Sequence, residues 1–299
     1  MDKNIKWALV TGASGGMGRA GVMALRKSGY GVFALDLYRE ENTREEMLEA
    51  LGVADDELII PVRASVTDEG ELSAVAESIS QLTGELSLII HFAGIYMLDS
   101  LVEMSDEAFR KIFDVNVRGA FLVNKTFLPL LGRGSKIIIV TSELAVLDPL
   151  PFTGIYAVTK AALDKYAYSL RMELQLLGIS VSVLRAGAVD TGMLGASMAA
   201  LERFVGGTKL YSCNAKRFRE IVESVEAKNI SAEKLAHKVM AIARKKRAGF
   251  AYSINRNPLL LLLNILPKRL QLWIIKKILE SKDGEQQKSE GRSLGEGKG

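Results

Sequence analysis

Four glycines crowd into eight residues at 11–18 (Thr-Gly-Ala-Ser-Gly-Gly-Met-Gly), directly after the apolar run Trp7 to Val10 and before a helix-like stretch. A buried strand that turns on glycines into a helix leaves few folds open. Without side chains at Gly12, Gly16 and Gly18, the backbone can approach a pyrophosphate closely. The helix start then presents unpaired N–H groups and the positive end of its dipole. The turn is read as a dinucleotide cradle that includes Ser14 and Met17. The plainer alternative is a tight turn that holds nothing.

The same alternation continues downstream. Short apolar runs at 31–35, 58–62, 86–91, 136–140, 179–184 and 250–254 alternate with helical stretches at 16–28, 43–51, 68–82, 105–131, 154–177 and 231–247. More helix is expected early in 190–230, and Asp68 is expected to cap its helix. Strands joined through helices predict an α/β domain with one doubly wound parallel sheet, taken as residues 1–254. The composition then changes to PLLLLLNIL and PKRLQLWIIKKIL, read as a C-terminal helical extension over 255–280. Residues 281–299, rich in Gly, Lys, Glu, Gln and Ser, cannot bury enough apolar surface to order and read as a disordered tail.

A chain of 299 residues, 48% of them hydrophobic, can build a sizeable core. Its one cysteine, Cys213, rules out an intrachain disulfide framework and reads as a packed residue. The start, MDKNIKWALVTG, enters a strand at once without a basic and apolar leader, so a cytoplasmic location is expected. Two distant histidines and one cysteine make no metal site. Charge is uneven: residues 244–280 carry nine Lys or Arg against Glu280 alone, while the first 243 are net acidic.

Asp36 closes the second strand, where a carboxylate can accept hydrogen bonds from ribose hydroxyls. A 2′-phosphate there would meet a like charge, costing up to about 4 kcal/mol before screening. The expected cofactor is therefore NAD rather than NADP, with Arg39 as the counter-argument and a strand-end Asp capping its turn as the plainer reading. Tyr156 and Lys160, at i and i+4, share one helix face. A fixed cation beside a phenol favours the phenolate, so the pair reads as a proton-transfer site.

The ordered set TGASGGMG (11–18), HFAG (91–94), DVNVRGAF (114–121), TSELA (141–145), YAVTK (156–160) and RAGAVDT (185–191) resembles the short-chain dehydrogenase/reductase family. The likeness runs through most of residues 5–250 and implies a Rossmann-like fold. It implies that Tyr156 is the acid/base, and that Lys160 lowers its pKa and holds the nicotinamide ribose. Ser142 would hydrogen-bond the substrate oxygen, and Asn116 would maintain a proton relay through a helix irregularity and water. Cofactor contacts would extend to Ser65, Val66, Ala93, Gly94, Gly187, Val189 and Thr191. Three positions depart from the family pattern. His91 stands where Asn is usual, Ser65 where Asp often precedes Val, and Ala186 where Pro usually precedes Gly.

By the same resemblance, the segment after the sixth strand covers the substrate, and here it is Met-rich. Met193 and Met198, with Leu144 and Phe152 before the Tyr, suit an irregular lipophilic ligand. Ordinary helix packing is the alternative. A bulky secondary alcohol or ketone is expected, with steroid-like molecules leading; the extension is loosely similar to those of hydroxysteroid and retinol dehydrogenases. The rivals are an NADPH-dependent carbonyl reductase of the same fold and a non-catalytic NAD(H)-binding regulatory protein. Residues 258–279 are too interrupted to span a membrane. They read as an interfacial anchor, or as a helical pair packed over the active site or across a dimer, readings that need not exclude one another. Nucleic-acid binding is not expected, since the basic segment lacks stacking aromatics beyond Trp273. A homo-oligomer is expected.

Overall fold

The computed structural model describes residues 5–39, 42–53, 55–224 and 229–280. Alternate side chains of a strand face opposite ways, so strands covered by helices on both sides must be apolar throughout. β1 (Trp7–Thr11) and β2 (Gly31–Asp36) read that way up to their last residue, while β4 (Leu86–His91) and β6 (Ser180–Ala186) keep an apolar core around Ser87 in the first and Ser182 and Arg185 in the second. With β3 (Ile59–Arg63), β5 (Leu131–Ser142) and β9 (Ala251–Ile254) they form a seven-stranded sheet. Its order is β3-β2-β1-β4-β5-β6-β9, and every pairing is parallel. Two-residue strands β7 (Val189–Asp190) and β8 (Ile230–Ser231) pair separately.

One face of the sheet packs Val10, Val32, Ile90 and Ile138 under α1 (Gly16–Lys27), α2 (Arg44–Leu51) and α9 (Ala232–Ala243). The other packs Leu9, Phe33, Ile89 and Ile139 under α3 (Glu69–Leu82), α5 (Gly119–Phe127) and α6 (Gly154–Leu174). Side-chain caps start several helices as their sequences suggest. Thr43 forms a reciprocal capping box with Glu46, and Asp68 and Ser105 accept from Glu71 and Ala108.

The helix expected over 105–131 is not continuous. α4 (Asp106–Phe113) passes into a π-helical stretch, Asp114–Arg118, before α5 begins, and β5 already starts at Leu131. A π turn leaves no mark on apolar periodicity over five residues, because it inserts only one extra residue. The segment 190–230 contains two helices, α7 (Gly192–Gly207) and α8 (Ser212–Ser224). They enclose a smaller apolar cluster of Leu98, Leu201, Phe204 and Phe218.

The extension forms α10 (Pro258–Ile265) and α11 (Lys268–Leu279). Asn257 caps α10 by accepting from Leu259 and Leu260 N–H. Its own N–H donates to Glu143 Oε2 at 2.7 Å. Asp148 is held from both helices: its N–H donates to Asn264, and its carboxylate meets Lys268 and Gln271. The pair is thus fastened onto the 143–150 loop beside Ser142. Residues 281–299, expected as a disordered tail, lie outside the described residues.

Candidate active site

The C-terminal ends of β1, β2 and β4 open onto a cleft of about 500 Å³. It is lined by Gly12, Ser14, Gly16, Met17, Gly18, Asp36, Val66, Ala93, Gly94 and Thr191. Gly12 lies at φ 67°, and a Cβ there would stand 2.6 Å from Ala93 N, so only glycine fits. α1 starts at Gly15 with no side-chain cap and no acidic residue in its first turn. Its orphan donors beside this cleft suit a pyrophosphate. Asp36 stands at the cleft edge, where Oδ2 accepts from Ser14 N (2.7 Å) and Ser14 Oγ (2.6 Å), and Oδ1 from Leu37 N. These bonds lock the carboxylate as a turn cap while leaving it on the lining. The donors, the glycine floor and the strand-end carboxylate together fit a nicotinamide dinucleotide.

Ser65 does not join that lining. Its hydroxyl is shared with Thr67 at 2.8 Å and its N–H donates to Glu71, so this expected contact is replaced by a local cap around α3. Ala64 and Val66, on either side of it, carry the wall there.

Past the cleft lies a cavity of about 290 Å³ that Ser142, Tyr156, Lys160, Gly187, Val189 and Leu144 line. β5 delivers Ser142 at its last residue, and α6 delivers Tyr156 and Lys160 from its first two turns. Lys160 Nζ lies over the Tyr156 ring, 5.6 Å from its centroid. Burial is the main influence on both groups. It pushes the Tyr156 phenol above its ordinary value, with Tyr96 adding to the rise and a Ser142 hydrogen bond opposing it. It pulls Lys160 down to about 8. The lowered phenol expected from the cation is therefore outweighed by desolvation in this pocket.

Asn116 sits in the π stretch, fully enclosed. Its amide clamps both backbone groups of Ile95 (2.8 and 3.0 Å) and donates to Thr159 Oγ1 at 3.1 Å. The irregular turn lets one side chain join the loop after β4 to α6. His91 is packed rather than facing the cavity. Its Nε2 meets Asn124 Oδ1 at 2.9 Å, and Asn124 Nδ2 donates to Tyr166. Because that amide nitrogen is committed to Tyr166, the imidazole Nε2–H is the donor.

The substrate wall differs from expectation. Phe152 has φ 68°, an uncommon left-handed conformation for a bulky residue. Its ring packs on Phe204, Tyr211 and Phe218 at 4.5–5.5 Å between centroids, outside the cavity lining. Met198 is exposed, and the Met193 side chain lies outside the described residues. Leu150 does line the cavity, and Ile95, Tyr96 and Leu260 stand in place of the others. Tyr96 stacks near Tyr156, 4.9 Å between centroids. Its place two residues after the HFAG run was the only sequence signal for it, and Leu260 belongs to the helical pair expected to pack over the active site. Among the described residues no cluster of His, Cys, Asp and Glu could hold a metal.

A family profile described as short chain dehydrogenase matches residues 6–202. An NADPH-dependent 1-acyldihydroxyacetone phosphate reductase of Schizosaccharomyces pombe is 30% identical over 190 residues, 62% of this chain and 60% of that protein. Estradiol 17-beta-dehydrogenase 2 of Mus musculus is 30% identical over 195 residues, 64% of this chain and 50% of that protein. A dehydrogenase/reductase from Sinorhizobium meliloti 1021 superposes with TM-score 0.66 at 25% identity, covering 83% of this chain and 93% of that one.

Proposed function

This chain belongs to the short chain dehydrogenase family, and on that premise we propose that it moves a hydride between NAD(H) and a lipophilic secondary alcohol or ketone. The observation that carries the substrate class is the wall around Tyr156. Phe92, Ile95, Tyr96, Leu144, Leu150 and Leu260 line it, and among the described residues its charged side chains are Lys160 and Glu143. Glu143 already accepts from Asn257 N, and no arginine among the described lining residues could hold a phosphate or carboxylate. A bulky apolar ketone of steroid type matches those walls. The relative named for estradiol supports the same class.

A bound nicotinamide dinucleotide supplies the hydride for ketone reduction, and the chain's own groups manage the oxygen. Ser142 and Tyr156 hydroxyls converge on the carbonyl oxygen and polarise it. In reduction, the Tyr156 hydroxyl would give its proton to the carbonyl oxygen, leaving a phenolate. Lys160 holds a positive charge beside that phenolate until solvent returns the proton. A phenol kept protonated by burial has the proton that the reductive direction needs. Asn116 keeps the loop at Ile95 and the start of α6 in register.

NAD is the cofactor preferred in this reading, supported by the Asp36 carboxylate on the cleft lining, whose charge would oppose a 2′-phosphate. The NADPH-dependent relative supports the rival preference. The reading also includes a homo-oligomer and peripheral membrane contact through 255–280. The test is NADH oxidation against a panel of steroid and other bulky ketones, with Tyr156→Phe as control. Turnover should fall at least about 100-fold in the variant, with NADH affinity retained. Saturable NADH binding with no ketone reduced would favour a non-catalytic cofactor-binding protein instead.

A further inference from the structure

The helices α10 and α11 have two different sides. Inward, Leu260 reaches the catalytic cavity, while Asn264, Lys268 and Gln271 all converge on Asp148. Because both helices turn their polar anchors toward one residue, their opposite sides face away from the protein together. On α10 that side is Leu259, Leu262 and Ile265, at three-residue spacing and 59%, 61% and 79% exposed. On α11 it is Leu272 and Trp273, 67% and 57% exposed. Arg269, Lys276 and Lys277 fall on the same stripe by i, i+3 and i, i+4 spacing. The single nearby carboxylate on the pair is Glu280, which meets both terminal lysines at its end.

Exposed apolar side chains gathered in this way mark a contact surface. Charge decides what fits it. A protein interface of this kind would have to supply acidic groups around an apolar centre. An anionic bilayer presents both at once, and an aromatic ring flanked by Lys and Arg is the composition of an interfacial helix. No helix among the described residues is long and apolar enough to cross a membrane, which leaves contact in the plane of the surface.

We infer that the outer face of α10 and α11 docks on an anionic lipid bilayer. Docked in this way, the α10 wall of the catalytic cavity lies against the lipid, and a ketone dissolved in the bilayer reaches Tyr156 past Leu260. The second half rests on the lipophilic-substrate reading, whereas the docking does not.

The test uses the full chain with phosphatidylcholine vesicles, with and without phosphatidylserine. Trp7 is buried, so among the two tryptophans a blue shift on vesicle addition reports Trp273. The shift and co-sedimentation should appear with phosphatidylserine and fade at high salt. Lys276→Gln with Lys277→Gln should weaken partition roughly 25-fold, about five-fold per cation. Leu262→Glu with Leu272→Glu, both surface changes, should abolish it. That variant should keep its rate on a water-soluble ketone and lose it on one dissolved in the vesicles. No shift and no sedimentation would overturn the inference. So would a dimer, dissolved by the Glu substitutions, that ignores vesicles, because the face would then belong to a second copy. Vesicle binding without any ketone turnover would support docking while telling against the proposed reaction.

Discussion

His91 shows how one residue's surroundings convert into a measurable property. Burial holds its imidazole down to about 4 from 6.5, with the Asn124 bond opposing. The folded chain therefore keeps it neutral while the unfolded chain takes a proton. Its contribution to stability is complete above about pH 6.5 and is lost as pH falls to about 4, by about 3 kcal/mol. Thermal unfolding of His91→Asn against the parent should show that part of the acid slope removed. Asp36 is the other informative single group. Replacing it by Asn keeps the acceptor for Ser14 and removes the charge, so the kcat/KM ratio of NADPH to NADH should rise at least about ten-fold. An unchanged ratio would mean the carboxylate serves only as a turn cap. Tyr156 and Lys160 were legible from their spacing only together with the glycine turn at 11–18. Their protonation was not, because desolvation depends on what tertiary packing brings around them.

At the scale of elements, capping chemistry was readable from local sequence, and interruption only through the family resemblance that placed an irregularity at Asn116. Thr43, Asp68 and Ser105 announced their helices because a short polar side chain before an acidic first turn has a local cause. The π stretch at Asp114–Arg118 answers to a distant partner, the Ile95 backbone, and leaves no local trace. Phe152 is similar. Its strained backbone, costing on the order of 1–3 kcal/mol, is offset by three rings from α7, α8 and the turn between them, which no window around residue 152 contains. Asn257 lies on the readable side. Asn257→Ala should destabilise α10 by about 1 kcal/mol. The measurable outcome is faster amide exchange over 258–265 with α6 unaffected; no change would show that the Glu143 and Asp148 anchors suffice.

Across the whole molecule, the alternation of strand and helix gave the parallel sheet and its two helical layers, because a strand buried on both faces has a composition of its own. The substrate wall was less readable, since it is assembled from the loop after β4, the 143–150 loop and α10. The sides of α4, α5 and α6 away from the sheet expose Phe109, Phe121, Tyr168 and Met172. If these carry the expected homo-oligomer, Tyr168→Glu with Met172→Glu should lower the molar mass seen by light scattering without changing the circular dichroism. An unchanged mass would remove this face from consideration. The placement of Leu260 has one further consequence. In the proposed reaction the groups that move the proton all fall within residues 6–202, whereas one part of the wall, Leu260, comes from a short helix beyond them. Part of the proposed selectivity is thus carried apart from the chemistry, so exchanging that helix would alter what the cavity accepts while the proton-moving groups stay in place.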